Sequence, residues 1–307
     1  MVFFFPYYLQ VVRTHEIKEG FGSSLVKRIL IVGAVRNVAK TVEQIHMILE
    51  RSFDDFERDY FLVESDSSDS TVNILQKMSR IYSNFAFISL GNLSKKVPHR
   101  TSRIATCRNE YLREWANRDS MYEYLVIADW DSVNMKLNGD AVNSCWRNDE
   151  WDVCTANQSG PYYDLWALRS ENWLNYDCQL DFFINSSKDG VRRSYFKNFI
   201  RPMFNVERME KWTRTFSSFG GIAIYKAHVI GAHKYPTESK FICEHVEFHR
   251  AMTFEGARIY INPDLVNSSW TRNAFRSCIE FFFYIIFGNR YNSIRNKRFY
   301  SYFGLKI

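Results

Sequence analysis

The stretch Tyr124-Leu-Val-Ile-Ala-Asp-Trp-Asp131 decides how the rest of the chain is interpreted. Its continuous apolar run is typical of a strand buried on both faces at the centre of a parallel sheet. Asp129 and Asp131 follow where this strand ends, and ligands of open α/β sheets bind outside the carboxyl ends of the strands. An Asp-x-Asp pair there can hold a hard divalent cation and leave its other positions for diphosphate oxygens. A lone pair more often marks a strand followed by an acidic turn, so the surrounding chain has to decide.

The residues before this stretch alternate between strand and helix patterns. The predicted elements are strand 28–34, helix 37–51, strand 60–64, helix 72–82 and strand 85–90. This β-α-β-α-β order is typical of a parallel sheet with right-handed crossovers. A longer helical pattern over 103–118 then leads into the Asp129 strand. We therefore predict an α/β fold with a doubly wound, mostly parallel central sheet and helices on both faces.

The second half of the chain has weaker patterns. Strand patterns occur at 151–156, 220–225 and 257–261, and a helical pattern occurs at 244–253. Pro263 is expected to end the last strand, because proline lacks the N–H that a ladder needs. The polar and aromatic run 175–210 shows no clear period, and we predict a mobile or substrate-facing insertion there.

The composition is that of a globular chain. Its 307 residues are 46% hydrophobic, which allows a large core and excludes a disordered protein. The six cysteines are scattered without a Cys-x-x-Cys pair, which argues against a zinc site or a disulfide scaffold and favours reduced thiols. No run reaches the roughly 18–20 apolar residues that span a bilayer, and the N-terminal run lacks the features of a signal peptide. We expect a cytoplasmic protein, with membrane contact limited to a peripheral one.

Charge and composition divide the chain into an aromatic leader at 1–24, a main domain at 25–270 and a basic aromatic tail at 271–307. The tail holds seven Lys or Arg and one acid, which accounts for the whole net charge of +6. Bases mixed with aromatic residues predict a peripheral contact with an anionic membrane. A helix that packs on the domain with a solvated basic side is an equal alternative. Nucleic-acid binding is disfavoured, because the main domain is formally neutral and its acids lie where a basic groove would be needed.

The order of the motifs resembles a known family. The run Arg-Ile-Ala-Thr-Cys-Arg-Asn at 103–109, followed by Asp129-Trp-Asp131, looks like a GT-A glycosyltransferase. Four later motifs resemble the fungal capsule-associated (cryptococcal-type) mannosyltransferase group and its microbial relatives. These motifs are Gly-Pro-Tyr-Tyr-Asp-Leu-Trp-Ala-Leu-Arg at 160–169, Phe-Gly-Gly-Ile-Ala-Ile-Tyr at 219–225, Cys-Glu-His-Val-Glu-Phe at 243–248 and Arg-Ile-Tyr-Ile-Asn-Pro at 258–263. The resemblance covers residues 27–266 and includes neither the leader nor the tail.

This resemblance implies a GT-A fold and a metal-dependent transfer of a sugar from a nucleotide-diphosphate donor. It implies Mn²⁺ or Mg²⁺ as cofactor, GDP-mannose as donor, and a glycan or lipid-linked hydroxyl as acceptor. The chemistry agrees, because a cation that bridges two phosphates stabilises the charge on a diphosphate leaving group. The alternative is a catalytically inactive sugar- or nucleic-acid-binding protein on the same fold.

The candidate metal and nucleotide residues follow from the strand ends. Asp131 is predicted to contact the metal, and Asp129 the metal or the ribose. Arg108, beside Asn109, matches the Arg-Asn pair of the family and is a candidate for phosphate or base contact. The remaining nucleotide candidates are Arg36, Asn37, Glu64 and Arg103. Structural alternatives stay open for these four, namely a plain loop, a charge at a helix N-terminus and a simple ion pair.

The candidate substrate residues combine aromatic and acidic side chains. Tyr163 and Trp166 flank Asp164, and aromatic rings can bind the apolar faces of sugars while a carboxylate takes hydroxyls. The alternative is a core aromatic cluster in which Asp164 pairs with Arg169. Gly220 and Gly221 would let the backbone approach a ligand closely, or would form a bulge at the start of a strand.

Glu244 and His245 form the last candidate pair. Glu244 is predicted to deprotonate or orient the acceptor hydroxyl. The imidazole of His245 is predicted to serve the metal or the leaving phosphate. The alternative for Glu244 is a favourable charge at a helix N-terminus. Both a retaining and an inverting outcome stay open.

Overall fold

One mixed sheet organises the computed structural model, which describes residues 26–118, 121–238 and 242–291. Its strands are β1 (Arg28–Val35), β2 (Glu57–Glu64), β3 (Phe85–Ser89), β4 (Tyr124–Ala128), β5 (Val153–Gln158), β6 (Thr213–Thr215), β7 (Ile222–Lys226) and β8 (Ile259–Ser268). The helices are α1 (Val42–Ser52), α2 (Thr71–Ile81), α3 (Arg100–Arg118), α4 (Gly139–Asn143), α5 (Cys178–Asp189), α6 (Val191–Tyr195), α7 (Arg201–Met203), α8 (Glu244–Phe254) and α9 (Arg272–Phe287). The predicted leader at 1–24 lies outside the described residues, and so does the end of the predicted tail, 292–307.

The eight strands are arranged in the order β3-β2-β1-β4-β7-β5-β8-β6. The first four are mutually parallel, as the β-α-β-α-β pattern predicts. β7 runs antiparallel between β4 and β5, β8 is parallel to β5, and β6 is an antiparallel edge. Six strands therefore share one direction, which confirms the predicted mostly parallel sheet.

Alternate residues of β1 show how both faces of the sheet are covered. Ile29 and Ile31 lie in a core cluster with residues of α1 and α2. Leu30 and Val32 lie in a second cluster with residues of α3 and α8. Because successive side chains of a strand point to opposite faces, the continuous apolar run reflects burial on both. The predicted helices on both faces are confirmed.

β8 shows that the predicted strand end at Pro263 is wrong. Thr155 pairs with Ile261 and Asn157 with Val266, so one residue of β5 lies opposite four residues of β8. Pro263 lies in this irregular stretch, and its carbonyl accepts a hydrogen bond from Asn157 Nδ2 at 3.3 Å. A bulge leaves residues unpaired, so the missing N–H of proline costs no ladder hydrogen bond and the strand continues.

The run 175–210, predicted as an insertion, is largely helical. It contains α5, α6, α7 and a π-helical turn at Phe196–Ile200. These elements pack against α9 around a third core cluster that includes Phe182, Tyr195 and Tyr284. We call α5–α7, the π-helical turn and α9 together the helical layer. Among the described residues, no helix has the length and apolar character needed to cross a membrane.

Candidate active site

A pocket of about 670 Å³ opens at the carboxyl ends of β1, β2 and β4. It brings together most of the predicted site residues from five separate parts of the chain. The predicted residues that line it are Arg36, Arg103, Arg108, Asp129, Asp131, Tyr163, Asp164, Trp166, Glu244 and His245. Asn37, Glu64, Gly220 and Gly221 are not among its lining residues.

The Asp-x-Asp pair is oriented by the tryptophan between its members. Trp130 is 1% exposed and packs in the core cluster of α1 and α2. A Cβ on Gly33 would lie 2.3 Å from Cδ1 of Trp130, so only glycine leaves room for this ring. Since alternate residues of an extended chain share a side, burial of Trp130 directs Asp129 and Asp131 together toward the pocket.

A buried amide network holds the backbone beneath Asp129. Asn134 Nδ2 donates to the carbonyls of Asp129 at 2.7 Å and Gly221 at 3.0 Å. Asn267 Nδ2 donates to Asn134 Oδ1 at 2.8 Å and to the Gly220 carbonyl at 2.7 Å. Gln158 Nε2 donates to Asn267 Oδ1 and to the Gly220 carbonyl, each at 3.1 Å. The three amide side chains have no exposed surface, and sequence patterns gave no signal for them, because 133 positions separate Asn134 from Asn267.

Gly220 and Gly221 support the site through their backbone. Both have positive φ, 69° and 97°, which favours glycine. A Cβ on Gly220 would lie 2.6 Å from the Ala156 carbonyl oxygen, and one on Gly221 would lie 2.6 Å from Val133. The Gly221 carbonyl accepts from the Asp129 N–H at 2.8 Å. The backbone of the two glycines therefore approaches other atoms of the protein closely. Through the Gly221 carbonyl it also connects the start of β7 to the loop after β4.

Six acidic residues line the pocket, and four of them, Asp129, Asp131, Asp164 and Glu244, form its floor. Enclosure by protein, with the nearby charge of Asp131, raises the pKa of Asp129 to about 8. Enclosure also raises the pKa of Asp164 to about 6; the hydrogen bond from the Gly220 N–H at 3.0 Å opposes this shift and the charge of Glu244 adds to it. Like charges at this density favour either a proton or a cation between them.

The alternative pairing of Asp164 with Arg169 is wrong. Arg169 Nη2 contacts Asp177 at 2.7 Å, and its Nη1 donates to two backbone carbonyls. Asp177 also caps α5 by accepting from the backbone N–H groups of Gln179 and Leu180. Arg169 thus connects the helical layer to the domain and leaves Asp164 to the pocket.

Arg108 is the buried cation of this acidic floor. Its Nη2 lies 3.4 Å from Glu244 Oε1, and its Nη1 lies 3.1 Å from His245 Nδ1. The guanidinium also lies over the rings of Phe219 and Tyr235, 5.4 and 5.2 Å from their centroids. Asn109 bonds in both directions with the backbone of Tyr235. The two residues of the predicted Arg-Asn pair therefore have different roles. Arg108 lines the pocket, and Asn109 holds the loop that contains Tyr235.

His245 is a neutral, buried imidazole. Burial and the adjacent Arg108 lower its pKa well below the usual value. Its ring stacks on Phe219, 4.0 Å between centroids, and both ring nitrogens contact Arg108. Because Arg108 contacts both ring nitrogens, neither nitrogen is left open to a metal. This geometry therefore gives no support to the predicted metal role of His245. His249, on the same helix face, is buried and forms hydrogen bonds with the hydroxyl groups of Ser217 and Tyr225.

The rim of the pocket near β1 and β2 is basic. Arg36 Nε donates to the Asp66 carbonyl at 3.2 Å, and Arg103 Nε lies 3.7 Å from Asp66 Oδ2. Arg103 also donates to the carbonyls of Val97 and Pro98. Asp66 itself lines the pocket and has a positive φ of 60°. Asp66 was not among the site residues predicted from the sequence.

Two predicted nucleotide residues hold loops at the edge of the pocket. Asn37 has a positive φ of 53°, and its side chain accepts from the Ser68 N–H at 2.8 Å. Glu64 is 1% exposed and accepts from the Ser67 N–H at 2.9 Å and from the Ser89 hydroxyl. Both side chains are used within the protein, so they shape the β1–α1 and β2–α2 loops.

The polar side of α9 is a part of the pocket that sequence reasoning did not identify. Asn273, Arg276, Ser277 and Glu280 line the wall. Their spacing of three and four residues places them on one side of the helix. The pattern is present in the sequence, but the tail was interpreted by its basic and aromatic residues, and no pocket-lining side was predicted.

The donor set suits a hard divalent cation. Carboxylate oxygens are the ligands that Mg²⁺ prefers, and Mg²⁺ is commonly held by one or two carboxylates together with waters and substrate phosphates. Asp129 and Asp131 supply such a pair. Within the residues that the structure describes, no three His, Cys, Asp or Glu side chains are grouped to hold a metal by themselves. The pair therefore fits a metal whose remaining ligands come from a substrate and water.

No protein-family model and no curated protein sequence matches the chain. Among solved structures, it resembles a mannosyltransferase from Pyrobaculum calidifontis in complex with GDP-Man and Mn²⁺, at 15% identity and a TM-score of 0.48 over 80% of this chain and 57% of that one. It also resembles TarS from S. aureus, at 14% identity and a TM-score of 0.46 over 82% and 63%. A third is glucosyl-3-phosphoglycerate synthase from Mycobacterium tuberculosis with uridine-diphosphate, at 11% identity and a TM-score of 0.38 over 79% and 69%. The chain spans less than two thirds of the length of the first two of these structures.

Proposed function

We propose that this chain is a glycosyltransferase of the GT-A type that moves a sugar from a nucleotide-diphosphate donor to an acceptor hydroxyl. The observation that carries this proposal is the division of charge in one pocket at the carboxyl ends of β1, β2 and β4. A basic rim suits phosphates, and an acidic floor suits a cation and the hydroxyls of sugars. The order of motifs, from the Asp-x-Asp pair to Glu244, supports the same function.

The rim and the Asp-x-Asp pair would bind the donor. Arg36 and Arg103 line the pocket, where their guanidinium groups can donate hydrogen bonds to phosphate oxygens. Asp129 and Asp131 would hold Mn²⁺ or Mg²⁺, which supplies the positive charge that a departing diphosphate needs. The amide network keeps the backbone of Asp129 in place before the donor arrives.

The acceptor side would be formed by Asp164, Glu244 and the aromatic residues. Asp164 lines the pocket, and burial raises its pKa, which makes its carboxylate a stronger base for a hydroxyl proton than an exposed aspartate. Glu244 is fixed by Arg108 and suits the orientation of that hydroxyl. Tyr163 and Trp166 line the same pocket and offer ring faces to a sugar. We therefore propose Asp164 as the general base and Glu244 as the residue that positions the acceptor.

For the donor we propose GDP-mannose, on the resemblance of the later motifs to the capsule-associated mannosyltransferases. For the acceptor we propose a glycan or a lipid-linked hydroxyl. The cytoplasmic location and the peripheral membrane contact of the tail remain predictions from the sequence.

A panel of nucleotide sugars tests the enzyme, the donor and the metal together. Each sugar nucleotide is incubated with the protein and Mn²⁺, and release of the nucleoside diphosphate is measured. We expect release from one donor, abolition by EDTA and recovery on adding back Mn²⁺. Donor binding without release, in the presence of a panel of glycan and polyprenyl-phosphate acceptors, would favour the inactive sugar-binding alternative. Binding of neither donor nor metal would contradict the proposal.

A further inference from the structure

The outer side of α9 carries an apolar stripe that stays exposed among the residues that the structure describes. Phe275, Ile279, Phe282 and Ile286 are 60%, 41%, 59% and 50% exposed. Their spacing of four, three and four residues places them along one side of the helix. Three neighbours on the same helix are exposed as well, Phe283, Ile285 and Phe287. A stripe with this spacing normally marks the side of a helix that packs into a core.

The exposure does not come from a detached helix, because other sides of α9 are occupied. Ala274 and Tyr284 have no exposed surface. The ring of Tyr284 lies 5.8 Å from that of Phe182 on α5 and 4.9 Å from that of Tyr195 on α6. Asn273, Ser277 and Glu280 precede Tyr284 at spacings of four, three and four residues, so they share its side of the helix, and they line the pocket. The helix is therefore docked by one side and presents an apolar one outward.

α5 of the helical layer repeats this arrangement. Phe182 is buried at 2% exposure, whereas Leu180, Phe183 and Ile184 are 49%, 40% and 60% exposed. The exposed three are separated by three and four residues and again share one side of their helix. Phe196, in the π-helical turn, is 46% exposed. Exposed apolar side chains thus occur on α9, on α5 and in the π-helical turn.

The same layer is strongly basic. Residues 178–203 and 272–291 contain eight Lys or Arg and three Asp or Glu, a net charge of +5. All eight bases are exposed, and they are Lys188, Arg192, Arg193, Lys197, Arg201, Arg272, Arg276 and Arg290. Apolar side chains framed by exposed bases are the pattern of helices that lie in the interface of an anionic bilayer.

We propose that the helical layer is a docking surface for an anionic lipid bilayer, with the apolar side of α9 inserted among the headgroups. Charge decides between this occupant and a second copy of the chain. Two copies joined through this layer would bring +5 against +5, whereas an anionic leaflet neutralises the same charge. The apolar side chains leave water in either arrangement, so burial of surface alone does not discriminate between them.

Docking in this way would place the pocket at the membrane. α9 lines the pocket with one side and would enter the interface with another, and a helix with its side chains is about 10–12 Å across. The wall of the pocket that α9 forms would then lie within about one helix diameter of the lipid headgroups. If the proposed glycosyl transfer is correct, this arrangement selects a lipid-linked acceptor over a free glycan.

Vesicle flotation tests the docking surface without any assay of activity. The full chain is mixed with phosphatidylcholine vesicles made with or without phosphatidylglycerol. We expect the wild-type protein to float with the anionic vesicles. We expect Phe282→Ser combined with Ile286→Ser to reduce the bound fraction at least about tenfold, because two apolar side chains no longer enter the interface. The matched control is Phe254→Ser, at the end of α8 outside the layer, since Phe254 is 93% exposed and should leave flotation unchanged.

A charge variant separates the two components of the surface. Lys188→Gln combined with Arg193→Gln should weaken binding to the anionic vesicles at low salt and have little effect at high salt, because exposed charges are screened. Circular dichroism and thermal unfolding confirm that each variant is folded before flotation is interpreted.

Three results would overturn the docking surface. The first is no flotation of the wild-type protein with anionic vesicles. The second is equal flotation of the folded Phe282→Ser, Ile286→Ser variant. The third is a wild-type dimer in solution that this variant dissociates, which would identify a second copy as the occupant. Asp131→Asn should float like the wild type, so a failure of the proposed catalysis and a failure of docking are distinguished.

Discussion

Two aspartates at equivalent places in the sheet have opposite electrostatic surroundings. Asp66 follows β2 and Asp129 follows β4, and these strands flank β1 on either side. Although burial opposes it, hydrogen bonds from Ser94 and the charge of Arg103 lower the pKa of Asp66. Burial and the charge of Asp131 raise the pKa of Asp129 to about 8. The protein satisfies the first carboxylate by itself and leaves the second for a proton or a ligand.

The pocket therefore has two parts. The charges around Asp66 are paired within the protein, whereas the negative charge around Asp129 is available to a ligand. Around Asp66, N–H groups and guanidinium groups are already arranged, so the loops after β1 and β2 are set before anything binds. Around Asp129, the positive charge of Arg108 offsets only part of the negative charge of Asp131, Asp164 and Glu244. Four substitutions or conditions, taken from the largest expected effect to the smallest, test the comparison.

Asp131→Asn should have the largest effect on activity. Removing this carboxylate takes away half of the proposed metal pair, and we expect turnover to fall at least about 100-fold while the fold is retained. The matched control is Asp140→Asn, an exposed acid in the first turn of α4, which should leave turnover unchanged. Nucleoside diphosphate release measures both variants. Wild-type turnover in Asp131→Asn would remove the basis of the proposed function.

Asn134→Ala should have the largest effect on stability. It leaves the Asp129 carbonyl without its buried donor, and it removes one of two hydrogen bonds from the Gly221 carbonyl and from the Asn267 amide. We expect the free energy of unfolding to fall by about 1–3 kcal/mol, measured by urea denaturation. Asn143→Ala is the control, because the Asn143 side chain bonds Asp55 at the surface and should cost much less. Equal losses in the two variants would show that the amide network contributes no more than a surface contact.

Arg36→Ala should weaken binding of the donor and spare the chemical step. One exposed guanidinium leaves the rim, and a hydrogen bond to a charged group of this kind contributes on the order of 1.5–3 kcal/mol. We expect KM for the donor to rise about tenfold or more with kcat nearly unchanged. Arg51→Ala, an exposed arginine in the last turn of α1, is the control. A fall in kcat at constant KM would instead place Arg36 at the reacting bond.

The pH dependence of stability tests the pKa of Asp129 directly. A carboxyl whose folded pKa is raised contributes full stability below its unfolded value, and this contribution is lost as pH rises through the folded value of about 8. In EDTA, the wild-type Tm should therefore fall relative to that of Asp129→Asn as pH rises from about 5 to about 8. We expect this Tm difference to change by about 2–4 °C or more, measured by scanning calorimetry. A difference that is constant with pH would contradict the raised pKa.

Local periodicity explains which elements could be predicted. The strands and helices of the β-α-β-α-β half lie within a few residues of their predicted bounds, because each buries a regular stripe against one sheet. α5 could not be identified in this way, since Phe182 is buried and Phe183 and Ile184 are exposed. Apolar residues on both sides of a helix erase the amphipathic period on which such predictions depend. The continuation of β8 past Pro263 depended on a bulge that only its pairing with β5 creates.

Only some residues of the candidate site could be predicted from the sequence. Asp129, Asp131 and Glu244 follow from a strand end and from the resemblance, and they do line one pocket. Asp66, Asn134 and Asn267 were missed, because their contacts join segments that lie far apart in the chain. Glu64 and Asn37 are predicted beside the nucleotide, and the structure shows that their side chains hold loops, which a residue type alone does not reveal.

The sequence by itself determined where the paired carboxylates lie. An apolar strand ends at Asp129, and a tryptophan between the two aspartates enters the core, so both point outward from the same sheet edge. Tertiary structure decided what surrounds them, because Asp164, Glu244 and Arg108 arrive from three other segments and set the charge of the floor. Only the packing of Tyr284 against Phe182 decided which side of α9 is buried and which remains exposed. Periodicity defines the sides of a helix, but the partner that covers each side is a property of the whole fold.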